Sequence, residues 1–189
     1  MPDPIQSPSG PLDGAHFTAG PGPDLRLRPA GDCARFSLRI AKADLGQAAR
    51  AFGRDIPAEI GAMSTGAQKT ALCLGPDEWL LMAPPSEARE IAARFAGLSN
   101  IHSLVDVGHR TLGIDVSGPA AALALNAGCP LDLDRLPAGG GTRTVLDKAE
   151  IVLMRFDHEH FRLETARSFA EFVWNFLESA GREFEAGHG

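Results

Sequence analysis

The sequence predicts an α+β fold in which mainly antiparallel sheets pack against helices. Its 189 residues suffice for one ordinary domain, and 44% apolar with 22% charged residues is close to the average for globular proteins. Segments that alternate as strands come in neighbouring groups, and helical segments separate these groups without a consistent strand–helix–strand order. The two halves of the chain are loosely alike, each pairing strands with a helix, which weakly indicates an internal pseudo-repeat.

The first half of the folded body is predicted to hold three strands and two helices. Asp44 and Ser86 are the expected helix N-caps, since their side chains can accept hydrogen bonds from the first free backbone N–H groups. Gly53 is expected to end the first helix. In chain order, these elements are a strand over 35–40, a helix over 44–52, a hairpin of strands 69–74 and 79–83, and a helix from 86 that Gly97 closes.

The second half is predicted to hold five strands and two helices. The last helix carries a broad apolar face, because apolar residues recur there three and four positions apart. The run Gly139–Gly141 is expected to be a mobile or tightly turned loop. In chain order, the elements are strands 103–107 and 111–117, a helix over 120–126, strands 142–146, 151–156 and 160–164, and a helix over 168–180.

Three regions are expected along the chain: an extended or disordered N-terminal arm over 1–32, a single α+β domain over 33–182, and a polar tail over 183–189. The arm contains prolines at 2, 4, 8, 11, 21, 23 and 29, which disfavour regular elements over most of its length. Such an arm could become ordered along a partner.

Charge and cysteine content exclude several classes of protein. The net charge is −6, and no cluster of lysine and arginine provides the basic face that nucleic acids require. The three cysteines are widely spaced without a CxxC pair, which favours neither a disulfide framework nor a zinc site. No signal peptide and no apolar run of membrane-spanning length is recognisable, so we expect a cytoplasmic protein without a membrane contact.

No catalytic, cofactor-binding or metal-binding set is predicted. A G-x-S-x-G elbow and a dinucleotide fingerprint are absent, and Gly139–Gly141 lacks the Lys-Ser/Thr that follows a phosphate-binding loop. His158 and His160 are two neighbouring imidazoles without a third ligand, which does not favour a metal site. Asp132 and Asp134 are interpreted as turn-capping carboxylates.

The remaining candidates point to an interface with another protein. Tryptophan carries much of the binding energy where proteins meet, provided that its side chain is exposed, and arginines beside strands or turns can contact a partner. The candidate interface residues are Trp79, His109, Arg110, Arg167 and Trp174.

Five motifs in order resemble one family. The series is similar to the gamma subunit of heterotetrameric sarcosine oxidase, and the likeness covers residues 33–182. The motifs are LGPDEWLL at 74–81, VDVGHRT at 105–111, VSGP at 116–119, GCPLDL at 128–133 and RSFAEFVW at 167–174.

The middle motifs also resemble the aminomethyltransferase (glycine-cleavage T-protein) superfamily. This likeness implies a fold akin to folate-binding aminomethyltransferase domains. Gly108 departs from the wider pattern, which has serine there. The chain is much shorter than a complete aminomethyltransferase and could supply at most half of a folate pocket, and none of its carboxylates is assigned as a folate ligand.

The family resemblance implies a non-catalytic subunit of an oxidase that demethylates sarcosine to glycine and passes the one-carbon unit to tetrahydrofolate. FAD, FMN, NAD and tetrahydrofolate are then expected on partner subunits, and the large (alpha) subunit is an expected partner. Two alternatives stay open: a stand-alone folate-binding, aminomethyltransferase-like protein, and a subunit of a related complex that oxidises another N-methyl amino acid.

Overall fold

The computed structural model describes residues 10–20, 22 and 24–185. Within them the chain forms eleven strands and four α-helices, with short 3₁₀ turns between some of them. The strands are β1 Phe17–Ala19, β2 Leu25–Pro29, β3 Ala34–Ile40, β4 Met63–Gly66, β5 Lys69–Gly75, β6 Glu78–Ala83, β7 His102–Asp106, β8 Thr111–Ser117, β9 Gly140–Leu146, β10 Ala149–Arg155 and β11 His160–Ala166. The helices are α1 Leu45–Phe52, α2 Ala88–Ala96, α3 Ala121–Asn126 and α4 Ala170–Glu185.

The strands form two antiparallel sheets. The large sheet has the order β1-β2-β8-β11-β10-β9, and the small sheet has the order β4-β5-β6-β3-β7. Every pair of neighbouring strands in both sheets is antiparallel. The predicted α+β fold with mainly antiparallel sheets is therefore confirmed.

The two sheets repeat one topology. The order β4-β5-β6-β3-β7 in the small sheet corresponds to β9-β10-β11-β8-β2 in the large one. Helix α1 follows β3 as α3 follows β8, and α2 follows β6 as α4 follows β11. The predicted pseudo-repeat is thus visible in the strand order. One strand of the second repeat, β2, is contributed by the N-terminal region and not by the chain that follows the last helix.

Three apolar cores stack the elements into four layers. One core fills the space between the large sheet and helices α3 and α4, and a second fills the space between the small sheet and helices α1 and α2. Strand β6 divides its side chains accordingly: Trp79 and Leu81 face the helices, whereas Leu80 and Met82 join Leu72 and Met154 between the sheets. The layers are therefore helix, sheet, sheet and helix.

The glycine run joins the two sheets, and its prediction as a loop is wrong for Gly140 and Gly141, which begin β9. The Gly141 N–H donates to the Gly61 carbonyl at 2.9 Å, and the Met63 N–H donates to the Gly139 carbonyl at 3.0 Å. A Cβ on Gly141 would lie 2.7 Å from the Leu153 carbonyl oxygen. Gly141 has no room for a side chain because the β10 backbone of its own sheet and the Leu72 side chain of the small sheet both lie against it.

The N-terminal region contributes two short strands, β1 and β2, to the large sheet, and neither strand was predicted from the sequence. Leu25 and Leu27 on β2 are fully buried in the core of the large sheet. Pro29 is the last residue of that strand, where a missing N–H costs least. The division of the chain at residues 33 and 183 stays a prediction, and residues 1–9 and 186–189 of the arm and tail lie outside the described residues.

The structure agrees with some of the predicted helix ends and differs at others. Gly53 follows α1 in the left-handed conformation, with φ of 79°. Asp44 occupies the N-cap position of α1, but its side chain accepts no capping hydrogen bond. Ser86 lies inside the 3₁₀ turn Pro85–Glu87, so the N-cap of α2 is Glu87 and the prediction for Ser86 is wrong. Backbone hydrogen bonds within this turn, such as that from the Glu87 N–H to the Pro84 carbonyl, take the place of a side-chain cap at the start of α2.

Candidate interaction surface

Both tryptophans belong to the interior of the chain. Trp79 is completely buried among the helices of the small sheet, and its indole Nε1–H donates to the Pro57 carbonyl at 2.7 Å. Trp174 is 6% exposed and packs in the core of the large sheet. An interface anchor must be exposed, and neither tryptophan side chain is exposed enough to serve as one.

The other three sequence candidates lie at the surface. His109, Arg110 and Arg167 are exposed. The Arg167 N–H donates to the Arg110 carbonyl at 2.7 Å, which brings the start of the β11–α4 connection against the β7–β8 turn. None of the ion pairs formed by the described residues involves Arg110 or Arg167. We call these three residues the basic corner.

An open groove lies between the sheets beside the basic corner, with a volume of about 560 Å³. Phe169, two residues after Arg167 in the chain, is 41% exposed. The groove thus combines cationic and apolar surface, as sites of protein association commonly do. Its lining includes Leu80, Val107, Arg110, Val152, Ala166 and Phe169.

Two members of a buried ionic network, Arg35 and Glu164, line the inner side of this groove. Arg35 on β3 donates from Nε to Glu164 Oε2 on β11 at 2.5 Å, and Arg162 donates from Nε to Glu164 Oε1 at 2.7 Å. Arg35 is 6% exposed and Glu164 is 3% exposed. Since β3 and β11 belong to different sheets, the carboxylate joins the two halves of the molecule.

Burial and ion pairing set the protonation states of two cysteines and one carboxylate. Burial raises the pKa of the Cys33 and Cys73 thiols, so both stay protonated and are poor nucleophiles. Hydrogen bonding from Arg143 lowers the pKa of Glu78, which keeps this carboxylate ionised at neutral pH. Arg143 Nη2 lies 2.7 Å from Glu78 Oε1 across the two sheets. The Arg143–Glu78 ion pair therefore connects β9 of the large sheet to β6 of the small sheet.

His158 and His160 contact different groups and do not converge on a common site. His160 Nε2 lies 3.6 Å from Asp115 Oδ1, and this interaction raises the pKa of His160. The imidazole of His160 also stacks on Phe156, with ring centroids 5.1 Å apart. His158 instead contacts the guanidinium of Arg155 through Nδ1 at 3.4 Å. Among the described residues, no three histidine, cysteine or carboxylate side chains converge as metal ligands would.

The short turn that follows Asp132 is capped by an aspartate side chain. The Asp132 carboxylate accepts a hydrogen bond from the Asp134 backbone N–H at 3.2 Å, which caps a short 3₁₀ turn. The interpretation as a turn-capping carboxylate is confirmed for Asp132, whereas Asp134 contributes its backbone N–H to this cap. None of the described helices combines the length and apolarity needed to cross a bilayer.

Two features of the structure were not predicted from the sequence. The first is the Arg35–Glu164 pair, whose partners are 129 positions apart. The second is the edge of the small sheet, where Ile101 is 95% exposed and Val105 is 49% exposed. A signal for Ile101 did exist, because it is an isolated apolar residue between the polar residues Asn100 and His102.

The four-layer arrangement places the chain in a known class of fold. A structure of glycine cleavage system aminomethyltransferase T from Bartonella henselae matches it with a TM-score of 0.62 and 15% identity, over 80% of this chain and 44% of that one. The structure of heterotetrameric sarcosine oxidase from Corynebacterium sp. U-96 in complex with pyrrole 2-carboxylate matches with a TM-score of 0.77 and 27% identity, over 85% of each chain. The class is therefore an aminomethyltransferase-like α+β domain.

Sequence comparison defines the family within this class. The chain is 31% identical over 167 residues to the sarcosine oxidase subunit gamma of Corynebacterium sp. (strain U-96), which covers 86% of this chain and 82% of that subunit. The model of the sarcosine oxidase, gamma subunit family matches residues 39–183. This chain belongs to the sarcosine oxidase gamma subunit family.

Proposed function

We propose that this chain is the gamma subunit of a heterotetrameric sarcosine oxidase and has no catalytic centre of its own. The observation that carries the proposal is the match over 85% of both chains to a subunit of such an oxidase. The complex would demethylate sarcosine oxidatively to glycine, pass the one-carbon unit to tetrahydrofolate and pass electrons to oxygen. FAD, FMN, NAD and tetrahydrofolate would be bound by the partner subunits.

The chemistry of the side chains supports a role through surface contact. The buried carboxylate of Glu164 is held by two guanidinium groups, and the Glu78 carboxylate is held by Arg143 and Arg39. A general acid or base needs a pKa near the working pH and an accessible proton, whereas these carboxylates are tied into ion pairs. The chain therefore contributes by positioning its partners.

The basic corner and Phe169 are the proposed contact with the large (alpha) subunit. Arg110 and Arg167 are exposed, lack an ionic partner within the described part of the chain, and are fixed next to one another through the backbone. An arginine fork binds a carboxylate in a defined geometry. We expect acidic side chains of the large subunit to face this corner.

Co-expression with the co-encoded large subunit tests the proposal. The wild-type chain should co-purify with a tagged large subunit, and it should be poorly soluble and colourless when expressed alone. The double variant Arg110→Glu, Arg167→Glu should co-purify at least about tenfold less, because repulsion replaces two ion pairs. Arg50→Glu, an exposed charge on α1, is the matched control and should leave recovery unchanged. A well-behaved lone monomer with bound flavin, or with turnover of a methylated amine, would contradict the proposal.

Two further assays separate the alternatives. The likeness to aminomethyltransferase T concerns the fold, so titration calorimetry of the chain with tetrahydrofolate decides whether it is a folate-binding protein that acts alone. Micromolar binding would favour that alternative, and no heat of binding would eliminate it. Turnover of dimethylglycine or N-methylglutamate by the purified complex, in preference to sarcosine, would assign the chain to a related oxidising complex.

A further inference from the structure

The pseudo-repeat leaves one strand position of the small sheet without a strand from the described residues. In the large sheet, β1 pairs with the outer edge of β2, with Thr18 opposite Arg26. Strand β7 occupies the equivalent of β2 in the small sheet, where it is the terminal strand. None of the described residues pairs with the outer edge of β7. The large sheet therefore has six strands where the small sheet has five.

The register of β7 defines which backbone groups face outward. The Val107 N–H donates to the Arg35 carbonyl at 2.9 Å, and Ser37 pairs with Val105. Because hydrogen bonding alternates along an antiparallel strand, the N–H groups of Ser103 and Val105 point toward β3. The N–H and carbonyl groups of His102, Leu104 and Asp106 then point away from the sheet and form a ladder that another strand could join.

Apolar side chains accompany this open ladder. Ile101, immediately before β7, is 95% exposed, and Val105 within β7 is 49% exposed. The side-chain amide of the adjacent Asn100 is buried, and neither its oxygen nor its nitrogen has a hydrogen-bond partner among the described residues. An open edge with apolar flanks promotes aggregation unless it is protected, and pairing with a strand of another chain is one way to cover it.

We infer that the outer edge of β7 binds an extended segment of the large subunit, which pairs as a sixth strand and covers Ile101 and Val105. The inference rests on the proposed function, since β7 leads directly into the β7–β8 turn that carries His109 and Arg110 of the basic corner, and a large subunit bound at that corner lies next to this edge. Backbone hydrogen bonds to His102, Leu104 and Asp106 would provide affinity, and apolar side chains alternating along the segment would contact Ile101 and Val105. The small sheet would then match the large sheet strand for strand.

Amide-resolved hydrogen exchange on the intact wild-type complex tests the pairing without any substitution. If the edge is paired, the amides of His102, Leu104 and Asp106 exchange as slowly as those of Ser103 and Val105. If the edge is open, the even-numbered amides exchange faster by several orders of magnitude than their odd-numbered neighbours, and the inference is overturned.

Matched substitutions in the co-expressed complex test the occupant. Val105→Asp should reduce the recovery of this chain on a tagged large subunit by about tenfold, whereas Val145→Asp, at 39% exposure on the edge strand of the large sheet, should not. Ile101→Asp and Leu123→Asp form a second pair, since both wild-type side chains are largely exposed. Ile101 precedes the strand, so its substitution tests the contact independently of the folding of β7.

The outcomes separate the two proposals. Normal recovery of Val105→Asp and Ile101→Asp with a functional wild-type complex would overturn the strand pairing and leave the proposed function intact. Failure of the wild-type chain to associate with the large subunit would overturn the proposed function. A dimer of this chain that Val105→Asp dissociates, with recovery on the large subunit unchanged, would assign the edge to a second copy and would also overturn the inference.

Discussion

Glu164 shows how one side chain connects the two sheets. Along β11 it alternates with Leu163 and Thr165, a pattern that alone is typical of a strand with one solvated face. The small sheet covers that face, and Arg35 from β3 and Arg162 from β11 neutralise the carboxylate. Removing one member of a buried ionic network leaves uncompensated charge, which is far more costly than losing an exposed pair.

Glu164→Gln is therefore expected to destabilise the protein by about 3–5 kcal/mol. The amide keeps the shape of the side chain but leaves two guanidinium groups without a counter-ion between the sheets. Urea unfolding of the complex or of a soluble preparation measures the change. Glu90→Gln is the control: Glu90 is exposed and pairs with Arg94 one turn away on α2, so its loss should cost less than about 0.5 kcal/mol. Equal effects of the two variants would argue against the network.

His160 supplies a residue-scale prediction about pH. The Asp115 carboxylate raises the pKa of His160 above its usual 6.5 in the folded chain. The pair therefore adds stability that is complete below the unfolded pKa of about 6.5 and is lost as the pH rises through the higher folded pKa. In an NMR titration, Asp115→Asn should lower the pKa of His160, whereas Asp134→Asn should leave it unchanged. A His160 pKa that does not respond to Asp115→Asn would contradict this assignment.

At the scale of elements, the start of β9 depends on the absence of a side chain. Gly141 lies against the Leu153 carbonyl of β10, and a Cβ would also come within 3.0 Å of Leu72 from the other sheet. The neighbouring backbone is held by the hydrogen bond from Gly141 to Gly61. A methyl group can be accommodated only if the start of β9 shifts away from β10 and from Leu72, which weakens the strand pairing and the packing between the sheets.

Gly141→Ala should cost about 1–3 kcal/mol of unfolding free energy. The matched control is Gly31→Ala, because a Cβ at Gly31 meets nothing within 4 Å and its φ is not in the left-handed region. That variant should change stability by less than about 0.5 kcal/mol. Thermal or urea denaturation measures the unfolding free energy of both variants. A Gly141→Ala protein as stable as the control would show that β9 and its neighbours accommodate a methyl group without loss of stability.

Elements with strong periodicity were predictable, and elements defined by their surroundings were not. The apolar spacing of α4 and the alternation of β8 correctly indicated a helix and a strand. Strand β2 was missed because flanking prolines outweighed the alternation of Leu25 and Leu27. Strand β4, Met63–Gly66, has little apolar periodicity, since it is stabilised by pairing with β5 and by the glycine run of β9.

At the scale of the whole molecule, the two repeats are expected to unfold as one unit. They share an apolar core between the sheets, the Arg35–Glu164 pair and the Arg143–Glu78 pair. Each repeat contains one tryptophan: Trp79 lies in the core of the small sheet and Trp174 in that of the large sheet. The two indoles therefore report separately on the two halves.

Single-tryptophan variants measure this cooperativity. In Trp174→Phe the remaining fluorescence comes from Trp79, and in Trp79→Phe it comes from Trp174. Within each variant, the fluorescence midpoint in urea should coincide with the far-ultraviolet circular dichroism midpoint, as two-state unfolding requires. Midpoints that differ in either variant would mean that the two sheets unfold independently.

The candidate surface could be predicted only in part. His109, Arg110 and Arg167 follow strands or lie in turns, so their exposure was foreseeable from local sequence. Their proximity was not, because the hydrogen bond from Arg167 to Arg110 joins residues that are far apart in the chain. The tryptophans could not be assigned, since apolar residues in a strand and in an amphipathic helix are compatible with either a core or an interface.

The sequence by itself determined the class of fold, most strands and helices, and the family, because these depend on local periodicity and on ordered motifs. Only the tertiary structure decided which faces of each sheet are buried. The alternation of residues in a strand identifies its polar face but does not indicate whether solvent or another sheet covers that face. The stacking of two similar sheets turned Arg35 and Glu164 into an interior pair and Gly140–Gly141 into a junction, and it left β7 at an open edge. Long-range packing sets the local dielectric and the available space, and neither is encoded within a short segment of chain.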